Sequence, residues 1–223
     1  MKRRDFSIHL AGSGLGLGFG LGLGLAATGT VQAQGAPVEG QQYVRLSTPV
    51  PMSLPPDKKI EVVEFFWYEC PHCYTFEPAL EPWSKRLAAD VSFRRVPVGF
   101  TARHQAAQKM FYALEDMGKL ETLHKRIFTA IHAQNQRLVN EADMVAFVSA
   151  NGVDGDKFGE MFRSFQVSTK ANRAKQLSEA YKIDGVPALG INGRYFTSGA
   201  LAGSHERALA VADFLIDRAR KAG

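Results

Sequence analysis

Ten residues constrain this chain more than any others: Glu64-Phe65-Phe66-Trp67-Tyr68-Glu69-Cys70-Pro71-His72-Cys73. An apolar run ends in Cys-Pro-His-Cys, and a helical pattern follows at once. The two cysteines of the 223-residue chain are both here, too few for a disulfide framework. Pro71 suits the first position of a helix, where its missing N–H would be unpaired anyway. Cys70 therefore belongs at or just before the first helical turn, where free backbone N–H groups favour an anion. The helix dipole contributes roughly 0.3–1 kcal/mol to a thiolate there, occasionally about 2. One pKa unit is about 1.4 kcal/mol, so a shift beyond about one unit needs direct N–H hydrogen bonds and a nearby cation. His72 can supply the cation.

Three readings of the cysteine pair compete. A structural disulfide closing so short a loop gains only roughly 2 kcal/mol, and a staple would join distant segments. A zinc site needs four ligands, and the chain has no second cysteine pair. A redox dithiol fits best: Cys70 exchanges and Cys73, one turn further and buried, resolves the mixed disulfide. A stabilised thiolate favours the reduced form and makes the disulfide oxidising. His72 alone would be an ordinary solvated residue; between two cysteines it gains an electrostatic role. Glu64 lies on an apolar strand, where an unpaired charge is costly. It is either a paired or snorkelling carboxylate or a buried proton acceptor for Cys73. Pro187 is either a strand-edge marker or, with a cis Val186-Pro187 bond, part of a backbone docking site.

The rest of the chain frames this stretch. Lys2-Arg3-Arg4, an uncharged Gly/Leu/Ala stretch from Leu10 to Ala27 and the small-x-small site Val31-Gln32-Ala33 have the layout of an export signal cleaved after Ala33. A transmembrane anchor is the other reading, but alternation of Gly with Leu leaves the stretch short of hydrophobic side chains. Arg3-Arg4-Asp5-Phe6 resembles a twin-arginine signal, with an ordinary Sec signal as the alternative. Either route ends where disulfides persist. Lys2, Arg3, Arg4 and Asp5 supply +2 of the formal charge of +5, leaving +3 for residues 34–223. With no basic run interleaved with aromatics, nucleic acid is not an expected partner. Apolar residues make up 45% of the chain, enough for a sizeable core.

Within the remaining chain, Tyr43–Leu46 alternates as a short edge strand, and the four prolines between Thr48 and Asp57 make an irregular segment. Ile60–Phe66, β-branched and aromatic on both faces, reads as a central strand. A helix is predicted from Pro71 to about Ala89, with a kink or break from Pro78 and Pro82. Val91–Val98 completes a strand–helix–strand crossover. Helical spacing then dominates: Ala102–Met117, Leu120–His132, Glu141–Asn151, Asp154–Ser164 and Ser168–Tyr181, the last capped by Ser168. Strand texture returns in Val186–Ile191 and Tyr195–Thr197 around the hairpin signal Asn192-Gly193. Ser204 opens a final amphipathic helix to about Lys221.

Val63-Glu64-Phe65-Phe66, Cys70-Pro71-His72-Cys73 and Gly185-Val186-Pro187-Ala188, with Asn192-Gly193 behind them, resemble the DsbA family, the periplasmic thiol:disulfide oxidases of the thioredoxin superfamily. The likeness extends over essentially all of the chain after the signal. It implies an α/β thioredoxin-like fold, a central mixed sheet flanked by helices, with an inserted all-helical domain. The expected division is a signal over 1–33, thioredoxin parts at 34–100 and 183–223, and the insertion at 101–182. It implies Cys70 as exposed nucleophile, Cys73 as resolving thiol, His72 as main thiolate stabiliser, Glu64 as buried glutamate and Pro187 as cis proline, with Val186 and Pro187 meeting substrate. The redox centre is the cysteine pair, so no cofactor is expected. The implied partners are unfolded exported polypeptides with free cysteines and a DsbB-like quinone-linked membrane oxidase, and the expected state is a periplasmic monomer. A low-pKa cysteine and a strongly oxidising disulfide also follow from the resemblance rather than from the spacing. Glu69 stands where an apolar aromatic is expected, and its carboxylate should oppose the Cys70 thiolate. A reductase or isomerase on the same scaffold, or a copper carrier using Cys70 and Cys73, remain alternatives.

Overall fold

The computed structural model describes residues 35–222; the expected export signal and its cleavage site lie outside them. A five-stranded mixed sheet has the order β1-β5-β4-β2-β3. Its strands are β1 Val44–Arg45, β2 Ile60–Phe66, β3 Val91–Pro97, β4 Ala188–Ile191 and β5 Tyr195–Ser198. β2 and β3 are parallel, as the crossover pattern requires, and the other neighbours are antiparallel. β2 lies inside the sheet and every residue of it is buried, which explains its apolar character on both faces. Ile60 and Val62 join a core with Trp83 of α1 (Pro71–Lys85) and Leu215 of α8 (His205–Ala222). Val63, Phe65 and Phe66 join a second core with Phe111 and Phe128.

Those two phenylalanines belong to helices inserted between β3 and β4: α2 Ala102–Asp116, α3 Leu120–His132, α4 Glu141–Ala150, α5 Gly155–Arg163 and α6 Phe165–Ala180. The fold is thus a thioredoxin-like sheet carrying a helical insertion. A four-residue helix, α7 (Gly199–Ala202), leads into α8, and Ser204 opens α8 by accepting the Arg207 amide at 3.1 Å.

Several local expectations are corrected. α1 ends at Lys85 rather than Ala89 and runs through Pro78 and Pro82 without a break. Both prolines are exposed, on the solvent side of the helix. α6 begins at Phe165, not Ser168, because Ser164 accepts the Val167 amide at 3.1 Å and caps the helix one turn earlier. β4 begins at Ala188, two residues after the expected Val186. In the β4–β5 hairpin, Ile191 pairs with Tyr195, so three residues make the turn. Asn192 and Gly193 both have positive φ, 53° and 64°. Val50 donates to the Gly193 carbonyl at 2.7 Å, and a Cβ on Gly193 would collide with the Val50 carbonyl oxygen. The hairpin tip thereby fastens the proline-rich segment to the sheet.

Candidate active site

The end of β2 delivers the dithiol. Cys70 is the N-cap of α1, extended at φ −80° and ψ 116°, and Pro71 occupies the first turn. The geometry leaves the first amides of α1 free to face the Cys70 sulfur. Both cysteines are free thiols. Cys70 keeps 8% exposure and Cys73 none, so the expected exposed nucleophile is reached only through a narrow opening. One wall of it is the Val186 carbonyl, 3.4 Å from the Cys70 sulfur, which accepts from Cys70 when that thiol is protonated. The Val186-Pro187 peptide is cis. Val186, Pro187 and His72 line a groove of ≈ 890 Å³ with Leu201 and His205.

Two thiols one turn apart have opposite electrostatics. The Cys73 thiol, donating a hydrogen bond, lowers the Cys70 pKa to about 6 despite burial; the amides of Cys73 and His72 add to this, and the His72 charge adds less. The imidazole charge acts alongside hydrogen bonds made at the sulfur. His72 is exposed, and solvent weakens its charge relative to hydrogen bonds made at the sulfur. Cys73 is pushed well above the ordinary thiol range by burial, by the Cys70 hydrogen bond and charge, and by the Glu64 charge. The pair is thus polarised into a thiolate and a thiol.

Beneath Cys73 lies a buried polar cluster. Burial raises the Glu64 pKa from 4.5 to about 8, against the lowering charge of Arg95. Arg95 Nε lies 2.9 Å from Glu64 Oε2, but off the hydrogen-bond direction, and neither Glu64 oxygen accepts a hydrogen bond. Arg95 also donates to both oxygens of Glu77, at 3.1 and 2.9 Å. Burial pushes Glu77 up, but its His124 hydrogen bond and the Arg95 charge outweigh that and hold it below the usual range. Burial keeps His124 neutral by lowering its pKa. A neutral ring has one N–H: Nε2 faces Glu77 at 3.4 Å and Nδ1 faces the Tyr68 hydroxyl at 2.9 Å. Donation from Nε2–H to the carboxylate and from Tyr68 O–H to Nδ1 satisfies both contacts. Glu64 is therefore paired as well as protonation-competent, two readings that the sequence left as alternatives.

Arg95, Glu77, His124 and Tyr68 were not singled out from sequence. Arg95 was within reach, because parallel pairing of β2 and β3 sets it opposite Glu64. Glu77 carried a weaker signal, one turn past Cys73 on α1. His124 arrives from α3, 47 residues beyond Glu77, and no spacing announces it.

Glu69 does not act as a free carboxylate. Arg103 forks onto it, Nε donating to Oε1 at 2.9 Å and Nη2 contacting Oε2. The expected opposition to the Cys70 thiolate is corrected by this pairing.

Comparison with known proteins agrees with the geometry. A family model described as a DSBA-like thioredoxin domain matches residues 79–206, more than half of the chain although it begins after the dithiol. A thiol:disulfide interchange protein DsbA of Pseudomonas aeruginosa is 44% identical over 183 residues, covering 82% of this chain and 86% of the relative. The chain belongs to the DsbA family. A DsbA of Bordetella parapertussis is likewise 44% identical over 191 residues, covering 85% of this chain and 88% of that protein. The crystal structure of Pseudomonas aeruginosa DsbA superposes with a TM-score of 0.79 at 43% identity, over 83% of this chain and 95% of that one. That of the Xylella fastidiosa oxidoreductase DsbA gives 0.78 at 30% identity, over 84% and 100%. The fold is the thioredoxin-like DsbA fold, and the chain is a disulfide oxidoreductase.

Proposed function

We propose that this DsbA-family chain oxidises dithiols in newly exported polypeptides by donating its Cys70–Cys73 disulfide. The observation that carries this reading is the Cys70 pKa of about 6 at the N-cap of α1. A thiolate so stabilised leaves readily and favours the reduced protein, so the disulfide is driven to oxidise other thiols. That direction argues against a reductase on the same scaffold.

The steps follow from the polarised pair. A substrate thiolate attacks the Cys70 sulfur, forming a mixed disulfide and expelling Cys73 as a thiolate. Cys73 is buried and disfavours charge, so it takes a proton; Glu64, protonated to about pH 8, is the donor. A second substrate thiolate attacks the substrate sulfur of the mixed disulfide and releases the Cys70 thiolate. The substrate loses two electrons, and the protein is reduced. In reoxidation the proton flow reverses: Glu64 first releases its own proton to solvent and then accepts the one from Cys73. The groove beside Val186 and Pro187 holds the substrate backbone near Cys70, with His72 in its lining and Pro71 starting the helix that carries the dithiol.

We further propose a periplasmic site reached by a cleavable signal over 1–33, Sec or twin-arginine in route. The thioredoxin parts would be 34–100 and 183–223 around an insertion at 101–182. The protein would act as a monomer, reoxidised by a DsbB-like quinone-linked membrane protein, with no cofactor. No helix among the described residues is long and apolar enough to cross a membrane. A copper carrier holding the metal between Cys70 and Cys73 is the other alternative, and metal analysis of the purified protein tests it.

The test is stoichiometric oxidation of a reduced, unfolded protein with several cysteines by the oxidised chain. Loss of substrate thiols should match gain of thiols on this protein, and Cys70→Ser should abolish the transfer. Transfer that persists in Cys70→Ser would contradict the assignment.

A further inference from the structure

A carboxylate directly before the nucleophile needs an explanation. Glu69 has a side chain only 11% exposed, whereas its partner Arg103 is 58% exposed. The two guanidinium nitrogens take both Glu69 oxygens, the planar fork that arginine makes and lysine does not. The position of Arg103 is telling. It is the second residue of α2, at the positive end of a helix, where a cation is unfavourable. No acidic residue lies in that first turn to offset it. What holds Arg103 there comes from the active-site loop: Glu69 through charge, and Trp67, whose ring lies under the guanidinium at 5.8 Å. His104 also packs on Trp67, ring centroids 4.2 Å apart, and burial lowers its pKa, so it contributes no cation of its own near neutral pH. Arg103 is therefore the cation paired with Glu69.

We infer that Arg103 is a positioning residue for the Cys70 thiolate: by forking onto Glu69 it neutralises and holds away the carboxylate next to the nucleophile. The helical insertion thereby sets the oxidising strength of the dithiol on the thioredoxin sheet. The inference rests on the reading of Cys70 as the reactive thiolate and adds a residue outside the Cys-Pro-His-Cys motif to its control. Its logic is a charge balance. Remove Arg103, and a largely buried carboxylate on the residue before Cys70 is left uncompensated, which disfavours a thiolate there. Remove Glu69 and keep Arg103, and the free guanidinium favours it.

The experiment is a double-mutant cycle on the full exported chain: wild type, Arg103→Gln, Glu69→Gln and the double variant. The Cys70 pKa is read from thiolate absorbance of the reduced protein, and oxidising strength from the equilibrium with glutathione. Arg103→Gln should raise the Cys70 pKa and move the glutathione equilibrium towards the protein disulfide by about three- to tenfold, about 15–30 mV for a two-electron couple. Glu69→Gln should shift both readouts the opposite way. The double variant should return to near wild type, and Arg103→Lys should recover most of the charge effect. A purely structural tie between loop and insertion would lower stability in Arg103→Gln and leave both readouts unmoved, which would overturn the inference. So would a double variant that stays where Arg103→Gln stands. Wild type in the same series checks the underlying reading separately: an ordinary thiol pKa for Cys70 there would sink the oxidase assignment whatever the variants do.

Discussion

Replacing Glu64 by Gln tests the buried cluster most sharply. In the folded protein Glu64 keeps its proton up to about pH 8, whereas in the unfolded chain it releases it near 4.5. Between those values the native state binds more protons than the unfolded one, so stability falls as pH rises, and above about 8 the full cost is present. Each pKa unit is about 1.36 kcal/mol, so the whole window corresponds to about 5 kcal/mol, of which about 4 falls between pH 5 and 8.5. Glutamine is uncharged throughout and carries no such slope. Glu64→Gln should therefore gain stability relative to wild type as pH rises, by about 3–4 kcal/mol across that range. The oxidised protein is the one to unfold, by urea at a series of pH values, because Cys70 then has no thiol to titrate. His124 contributes a slope of opposite sign, burial having lowered its folded pKa, but it is present in both proteins and largely cancels in the difference. A difference that stays flat from pH 5 to 8.5 would mean that Glu64 ionises like a surface carboxylate, and the proton-donor role assigned to it would go.

Other expectations follow from the same site. The reduced protein should gain stability relative to the oxidised one as pH rises. The folded Cys70 pKa of about 6 is depressed from an ordinary thiol's 9, so its contribution is complete above about 9 and is lost as pH falls through about 6. Three units set a ceiling of about 4 kcal/mol, and discounting for solvent near the sulfur leaves about 2. Paired denaturation of both forms at pH 4 and 8 measures it, and equal pH profiles for the two forms would count against the thiolate. His72→Ala should raise the Cys70 pKa and make the disulfide less oxidising, but by under about one unit because the Cys73 thiol and the helix amides remain; an unchanged reduction potential would remove His72 from the scheme. Arg95→Leu should destabilise by about 3–5 kcal/mol, as expected when one partner of a buried ionic cluster is lost, and a near-neutral effect in thermal unfolding would show that the cluster is not paired as described.

What the sequence made legible was local. The β2 pattern, the Pro71 helix start and the Asn192-Gly193 turn are short-range signals, and each lies where its chemistry placed it. Helix ends were less legible, because two serines, Ser164 and Ser168, could each cap the same helix and only backbone geometry chooses. The contents of the site were legible where they sit on one motif and illegible where the fold brings them together. Tyr68, Glu77, Arg95 and His124 come from the β2–α1 loop, α1, β3 and α3, and only packing makes them one cluster. Glu69 shows the reverse error. Read alone, it opposes the thiolate; its partner is 34 residues away and cancels the charge.

The equilibrium of the purified protein with reduced and oxidised glutathione tests the central claim most directly. With Cys70 held as a thiolate and Cys73 as a thiol, the protein dithiol should persist at glutathione ratios that leave thioredoxin oxidised, giving a potential well above about −270 mV. A value at or below that of thioredoxin would contradict the oxidase account.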